Sequence, residues 1–313
     1  MGINVLYLDK MNEHMERMIL EMCPAEVDLR FLQPNIGKKG TLAEAECLLD
    51  TTFKVTREII DQAPRLKLIQ RTGVGVDMVD VSYAKEKNIP VSICRGFNAS
   101  SVAELAVLDM LALYRHIIEL DTLGKKKEWH TWTYRHESYE LLGKTVGIIG
   151  GGTIGREVMK RIKSFGTRII YSDVIRMPLE EEAVLGCEYM DLDELIREAD
   201  VISIHVPLLD STRGMIGREQ FEHMKESAIL INTARGQIVD EEALIEALQG
   251  KKIRGVAVDV FEENETLFGL NIENLIVTPH VGAATYDNYY RVYKFSLENA
   301  QRIASGQEPL GCL

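Results

Sequence analysis

The fold of this chain is decided by the stretch Thr145–Gly155, which reads TVGIIGGGTIG. Its apolar first half predicts a buried strand, and from Ile154 to Phe165 apolar side chains recur at helical spacing. A second predicted strand, Arg168–Tyr171, follows, and Asp173 stands at its carboxyl end. This strand–turn–helix–strand unit has about the length that a parallel crossover connection requires.

The three glycines of this stretch predict a dinucleotide site. Gly150 permits the tight turn, Gly152 lets the backbone approach a pyrophosphate, and Gly155 lets the helix pack close to the sheet. Asp173 is placed to accept hydrogen bonds from a ribose diol. A 2′-phosphate about 4 Å from its carboxylate would cost several kcal/mol, so NAD is favoured over NADP. Arg176 lies close by in the sequence and would weaken that preference if it reached the phosphate.

Composition narrows the class of protein. The chain has 313 residues, 46% of them hydrophobic and 27% charged, which is typical of a soluble globular protein with two domains. No uncharged apolar run reaches the roughly 18 residues of a membrane span. The net charge of −12 disfavours a nucleic-acid or membrane surface. The five cysteines show no paired spacing, which predicts reduced thiols, no metal site and a cytoplasmic location.

Residues 1–98 alternate predicted strands and helices, which indicates a parallel sheet covered on both faces. The loop Gly73-Val74-Gly75 follows one of these strands, at the edge where open parallel sheets bind ligands. Its backbone N–H groups would form a small nest for a carboxylate. A plain strand–helix turn is the alternative interpretation of the same glycines.

Two helices and an aromatic segment flank the nucleotide unit. Residues 98–120 predict one long helix, and Tyr286–Ala304 predicts a last helix whose aromatics pack on the first block. Between them, Lys125–Glu140 contains Trp129 and Trp132 without a clear period. We interpret this segment as an arm that packs on its own chain or reaches a second subunit. The apolar face of the long helix is predicted to hold Val102, Leu105, Ala106, Leu108 and Leu113.

Three ionisable side chains follow predicted strands in the nucleotide half. Arg235 follows the strand Ile229–Asn232, Asp259 ends the strand Val256–Val258, and His280 follows Leu275–Val277. The carboxyl ends of parallel strands lie at one edge of a sheet, so these groups are predicted to form an active site.

In these motifs the sequence resembles the D-isomer-specific 2-hydroxyacid dehydrogenase family over nearly its whole length. The matching stretches are Leu68–Asp77 (LIQRTGVGVD), Gly143–Gly155 (GKTVGIIGGGTIG), His205–Leu208 (HVPL), Ile231–Glu241 (INTARGQIVDE), Val258–Glu262 (VDVFE) and Val277–Thr285 (VTPHVGAAT). The resemblance implies an α/β fold of two doubly wound parallel-sheet domains. Residues 99–283 would form an NAD-binding Rossmann domain, inserted into a flavodoxin-like substrate domain of residues 1–98 and 284–313. It also implies a homodimer built through the nucleotide domains.

The resemblance assigns chemistry to individual residues. Arg235 would bind the carboxylate of a 2-oxo acid and polarise its carbonyl, and His280 would be the general acid–base. The loop Gly73-Val74-Gly75 would bind substrate together with these two. Residues implied in NAD binding are Gly150, Gly152, Thr153, Ile154, Gly155, Asp173, His205, Pro207, Thr233, Ala234, Asp259, His280 and Gly282.

One position departs from the family pattern. The family pairs its histidine with a glutamate five residues after the position of Asp259, and Asn264 stands there, between Glu263 and Glu265. We assign Glu265 as the partner of His280, with Asn264 and Glu263 as the alternatives. A carboxylate in this place would raise the pKa of the histidine, whereas an amide would not.

The substrate class depends on Asp50. Phosphoglycerate dehydrogenases resemble the chain here but carry an arginine at this position, and a carboxylate would repel their phosphate. The sequence therefore predicts a small unphosphorylated 2-oxo acid such as glyoxylate or hydroxypyruvate, with phosphoglycerate dehydrogenase as the alternative. A protein that senses NAD(H) and has lost catalysis is an alternative of another class. Asn264 favours that alternative, and Arg235 and His280 oppose it.

Overall fold

Two parallel sheets organise the chain, one in each of two compact units. The computed structural model describes residues 2–129, 131–261, 267, 269–270 and 272–313. One unit comprises Met1–Asn98 and Thr285–Leu313, and the other comprises Ala99–Ala284. The predicted α/β class with two doubly wound sheets is confirmed.

The first unit contains a six-stranded sheet. Its strands are β1 (Ile3–Tyr7), β2 (Val27–Phe31), β3 (Lys38–Lys39), β4 (Cys47–Asp50), β5 (Leu68–Arg71) and β6 (Val91–Ile93). Helices α1 (Glu13–Glu21), α2 (Arg57–Asp61) and α3 (Val81–Glu86) connect them. The strand order is β3-β2-β1-β4-β5-β6, so the order reverses between β1 and β4. Ligands of open parallel sheets bind beyond the carboxyl ends of the strands at such a reversal.

The second unit contains a seven-stranded sheet. Its strands are β7 (Thr145–Ile149), β8 (Arg168–Ser172), β9 (Cys187–Tyr189), β10 (Val201–Ile204), β11 (Ile229–Asn232), β12 (Gly255–Val258) and β13 (Leu275–Val277). Its helices are α4 (Ala99–Arg115), α5 (Ile117–Lys125), α6 (Thr153–Lys163), α7 (Leu179–Leu185), α8 (Leu192–Glu198), α9 (Arg218–His223) and α10 (Glu241–Gln249). The strand order is β13-β12-β11-β10-β7-β8-β9, and it reverses between β7 and β10.

The predicted long helix at residues 98–120 is wrong in two respects. It is two helices, α4 and α5, because His116 between them has a left-handed φ of 47°. Leu108, predicted on the apolar face of α4, is 58% exposed, whereas Asp109 beside it is buried. The other predicted positions of this face are buried or half-buried, so the error is confined to Leu108.

The last helix, α11 (Tyr286–Ala304), belongs to the first unit. Thr285 caps it, because its hydroxyl accepts a hydrogen bond from the N–H of Asn288. Tyr293 and Leu297 are buried against the core that contains β1 and β2, and Tyr289 stacks on Tyr293. The prediction that these aromatics are core residues is confirmed. Among the described residues, no helix is both long enough and apolar enough to cross a membrane.

Candidate active site

The glycine turn lies at the strand reversal of the second unit. Gly150 follows β7 with a φ of 105°, and a Cβ there would lie 2.7 Å from the carbonyl group of His205, which follows β10. A Cβ on Gly155 would overlap the carbonyl oxygen of Gly150. A Cβ on Gly152 would meet open space. Gly150 and Gly155 are thus required by packing, whereas Gly152 leaves room at the start of α6, where free N–H groups favour an anion.

Asp173 follows β8 and accepts a hydrogen bond from the backbone of the glycine turn. Its Oδ2 accepts a hydrogen bond from the N–H of Gly151 at 2.6 Å, and its Oδ1 accepts one from the N–H of Ile175 at 3.1 Å. Arg176 does not offer an open charge beside it, because its guanidinium binds both carboxylate oxygens of Glu182 at 2.8 and 2.9 Å. The neighbourhood of Asp173 is therefore unfavourable for a 2′-phosphate.

Other polar groups around the turn fit a nucleotide. The Oγ1 of Thr233, just after β11, is buried and has no hydrogen-bond partner among the described residues. A bound nucleotide would satisfy the hydrogen-bonding capacity of this hydroxyl. Nε2 of His205 lies 2.8 Å from the Ser203 hydroxyl, and burial lowers the pKa of this histidine to about 3. His205 is therefore neutral at physiological pH.

The loop that carries Arg235 is fixed by Asn232. The Asn232 side chain donates to the carbonyl of Arg235 and accepts from the N–H of Ala234, both at 3.0 Å. Gly236 is required next to it, because a Cβ there would overlap the backbone of Phe261. The Arg235 guanidinium donates to the carbonyl of Ala234 at 2.7 Å. The sequence Asn-Thr-Ala-Arg-Gly thus forms a rigid loop that presents a half-buried arginine at the end of β11.

Asp259 organises the loop that carries His280. Its Oδ1 accepts hydrogen bonds from the Thr278 hydroxyl at 2.6 Å and the Val281 N–H at 2.8 Å. Its Oδ2 accepts one from the Gly282 N–H at 2.7 Å, and its carbonyl accepts one from the His280 N–H at 2.9 Å. The carboxylate is almost fully buried. His280 is held in the middle of this loop with a left-handed φ of 55°.

The electrostatics of His280 reflect its neighbours. Partial burial by the strand ends lowers its pKa below the usual value, Asp259 opposes that shift, and the Arg235 guanidinium adds to it. The ring itself is still exposed enough to reach a substrate. The predicted carboxylate partner lies outside the described residues, because Glu263, Asn264 and Glu265 all fall in that gap.

A functional candidate missed from the sequence is Asp109 on α4. This carboxyl group is buried, and burial together with the charge of Asp259 raises its pKa to about 7. The helix face that holds it also contacts the His280 loop, because Val102 and Leu105 are the side chains that a Cβ on Gly282 would approach. The sequence did contain a signal for it: Asp109 stands seven residues, or two helical turns, after Val102 and therefore lies on the same apolar face of the helix.

The first unit contributes two features at the carboxyl edge of its sheet. Gly73, Val74 and Gly75 follow β5, and a Cβ on Gly73 would meet open space. Asp50, which ends β4, is fully buried and forms a 2.5 Å ion pair with Arg71, which ends β5. The predicted direct repulsion of a phosphate by Asp50 is therefore wrong in its mechanism, because this carboxylate faces Arg71 rather than solvent.

In the described part of the chain, no group of three His, Cys, Asp or Glu side chains is arranged to hold a metal ion. The five described cysteines are free thiols.

The chain was compared with protein families and with known proteins. Residues 107–282 match the family model for the D-isomer specific 2-hydroxyacid dehydrogenase NAD binding domain. A hydroxypyruvate reductase of Thermotoga maritima is 45% identical over 76% of this chain and 78% of its own length. A glyoxylate reductase of Thermococcus litoralis is 39% identical, over 91% and 89%. A D-3-phosphoglycerate dehydrogenase of Methanocaldococcus jannaschii is also 39% identical, over 97% of this chain but only 58% of its own length.

Proposed function

The chain belongs to the D-isomer-specific 2-hydroxyacid dehydrogenase family and is an NAD-dependent oxidoreductase, and we propose that its substrates are short, unphosphorylated 2-oxo acids such as hydroxypyruvate and glyoxylate. The observation that carries the proposal is the placement of Arg235, Asp259 and His280. They follow three neighbouring strands of one parallel sheet, at the edge that also holds the glycine turn. A cation, a proton donor and a nucleotide turn at one edge are what reduction of a 2-oxo acid requires.

We assign the following roles. The planar guanidinium of Arg235 binds the substrate carboxylate and polarises the carbonyl oxygen. NADH, when bound at the glycine turn, would supply the hydride for the carbonyl carbon. His280 gives a proton to the oxygen, so that the C=O double bond becomes a C–H and an O–H, and it takes the proton back in the oxidative direction. Asp259 positions His280 by holding the backbone of the loop that carries it. Glu265 (alternatively Asn264 or Glu263) is the acid–base partner of His280.

The cofactor contacts follow from the turn and the strand ends. The N–H groups at the start of α6 hold the pyrophosphate, Asp173 binds the ribose diol, and Thr233 supplies a hydroxyl that lacks a described protein partner. The remaining residues proposed to contact NAD are Gly150, Gly152, Thr153, Ile154, Gly155, His205, Pro207, Ala234, Asp259, His280 and Gly282. We assign substrate contacts in the first unit to Gly73, Val74 and Gly75.

We further propose a homodimer formed through the second unit. The tyrosines of the arm at residues 125–140 pack on their own chain, since Tyr134 stacks on His116 and Tyr139 contacts Tyr114. The tryptophans are far more exposed: Trp129 is 92% exposed, and Trp132, whose ring contacts the Arg135 guanidinium, is 71% exposed. Large exposed aromatics of this kind are typical of a subunit interface. Sedimentation of the purified protein tests this, and a concentration-independent monomer would contradict it.

We place the enzyme in the cytoplasm, because its cysteines are free thiols.

The catalytic proposal is tested by oxidation of NADH in the presence of glyoxylate, hydroxypyruvate, pyruvate and 3-phosphohydroxypyruvate. We expect turnover of the unphosphorylated acids and a loss of kcat of at least about a hundredfold in His280→Ala. His223→Ala, which changes an exposed histidine at the end of α9, is the matched control. Preferred turnover of 3-phosphohydroxypyruvate would identify a phosphoglycerate dehydrogenase. Tight NADH binding without any turnover would identify a sensing protein.

A further inference from the structure

Asp109 is an unusual residue for the apolar face of α4. It stands four residues after Leu105 and seven after Val102, so the three side chains share one face of the helix. Asp109 is only 4% exposed, although acidic residues are almost never fully buried unless they are paired. In the described part of the chain, no hydrogen bond or ion pair reaches its carboxyl group.

The face of α4 that holds Asp109 packs against the His280 loop, residues 278–282. The helix lies along β11, β12 and β13. A Cβ on Gly282 would lie 2.9 Å from Oδ2 of Asp259 and 3.6 Å from the side chain of Leu105, so the helix and the carboxylate border the same glycine. Among the described groups, the Asp259 carboxylate is the one whose charge acts on Asp109.

A purely structural role explains Asp109 poorly. An ionised carboxylate here would be buried near a second carboxylate, without a cation or a hydrogen-bond donor from the described residues, and that burial is costly. An apolar residue on the same face would avoid this cost. The carboxyl group therefore retains its proton more strongly than usual, since burial and the charge of Asp259 raise its pKa to about 7. Asp109 thus changes its charge close to neutral pH, next to the group that positions His280.

We infer that Asp109 is a positioning residue that acts on His280 through Asp259. While Asp109 is uncharged, Asp259 is the charged member of the pair, and its three hydrogen bonds hold the His280 loop. When Asp109 releases its proton to solvent, the two carboxylates repel each other and the loop is held less firmly. The inference rests on the proposed roles of His280 and Asp259 and adds a control of the same site by a proton.

The test is the pH dependence of the oxidation of glycerate, the product of hydroxypyruvate reduction, with NAD. In this direction His280 must be neutral to accept a proton, so its own titration makes kcat/KM rise with pH. We expect kcat/KM of the wild type to fall again above about pH 7, because Asp109 ionises there. Asp109→Asn keeps the shape of the side chain, does not ionise and is expected to lack that fall. The ratio of kcat/KM of the variant to that of the wild type is expected to rise at least about threefold from pH 6 to pH 9.

The matched control is Glu104→Gln. Glu104 is an exposed carboxylate on the same helix, where it pairs with Arg161 at 3.0 Å, and its replacement is expected to leave the wild-type pH profile in place. A rise of less than threefold in a folded Asp109→Asn variant would overturn the inference, because a merely structural Asp109 would change kcat/KM by the same factor at every pH. Asp109→Leu, which is also uncharged, is measured in the same way if Asp109→Asn does not fold.

Failure of the proposed function gives a different result. If the wild type turns over neither glycerate nor any of the 2-oxo acids, the proposed function fails. The coupling is then read from an NMR titration of the His280 ring in the free protein, with its signal assigned by its loss in His280→Ala. An additional inflection of this signal near pH 7 in the wild type, absent from Asp109→Asn, would still support the inference. The same titration curve in both proteins would overturn it.

Discussion

Replacement of Asp259 by asparagine tests how the His280 loop is held. In the wild type, Oδ1 serves the Thr278 hydroxyl and the Val281 N–H, and Oδ2 serves the Gly282 N–H. An amide oxygen can keep the first two bonds, but an NH₂ group in the place of Oδ2 faces the N–H of Gly282, and neither can accept. One charge-assisted hydrogen bond is lost, and the Gly282 N–H and the new NH₂ group are both left without an acceptor.

The expected cost follows from these two terms. A hydrogen bond to a charged group contributes about 1.5–3 kcal/mol, and an unsatisfied buried donor costs a similar amount, so we take about 3 kcal/mol for the combined change. If this loss of stabilisation displaces the ring of His280 from its catalytic position, kcat/KM for the reduction falls by roughly a hundredfold. We expect most of the loss in kcat, because Asp259 acts on the proton donor rather than on the substrate carboxylate.

The assay is steady-state NADH oxidation with hydroxypyruvate, accompanied by thermal unfolding to show that the variant is folded. The matched control is Asp240→Asn, since Asp240 caps α10 by accepting from the N–H of Ala243 and lies outside the loop of His280. A folded Asp259→Asn enzyme with kcat/KM within threefold of the wild type would refute the assigned positioning role.

Three further predictions follow from the same region. Glu265→Gln is expected to move the fall of reductive activity to lower pH in a pH–rate profile, because loss of the carboxylate lowers the pKa of His280; an unmoved profile would reject Glu265 as its partner. Gly155→Ala is expected to lower the melting temperature strongly because its Cβ overlaps backbone, whereas Gly152→Ala is expected to fold normally and to weaken NADH binding in a fluorescence titration. For Asp109, burial raises the pKa in the folded state to about 7, so the native state loses stability as pH rises through that value. The difference in melting temperature between Asp109→Asn and the wild type is therefore expected to shift in favour of the variant between pH 5 and pH 8. A difference that stays constant over this range would contradict the prediction.

The sequence was sufficient wherever local patterns determine structure. Short sequence motifs next to strands with a clear hydrophobic pattern predicted the glycine turn and Asp173 at the end of β8. They also predicted that Arg235 and His280 follow strands of one sheet. A helix break was not predictable in this way. His116 is not a residue that marks a helix end, and its left-handed conformation accompanies stacking on Tyr134, 18 residues away in the sequence.

The pairing of charged side chains on different elements was also not predictable from the sequence. The sequence suggested that Arg176 would soften the preference for NAD and that Asp50 would face the ligand. In each case a charged partner on another element of the same unit bears on the role of the residue: Glu182 on α7 for Arg176 and Arg71 on β5 for Asp50. A periodic pattern identifies which face of an element is buried, but it does not identify which carboxylate meets which guanidinium.

These two pairs indicate how an acidic enzyme selects among anions. Arg176 beside the proposed ribose site is neutralised by Glu182, which disfavours a 2′-phosphate, and Arg71 at the edge of the first sheet is paired with Asp50. The charge of the Arg235 guanidinium lowers the pKa of His280. An arginine that already binds a carboxylate, as Arg176 binds Glu182, adds little to the binding of a further anion. Removing the carboxylate of Glu182 is consequently expected to raise the tolerance for a 2′-phosphate, without adding any new cation to the chain.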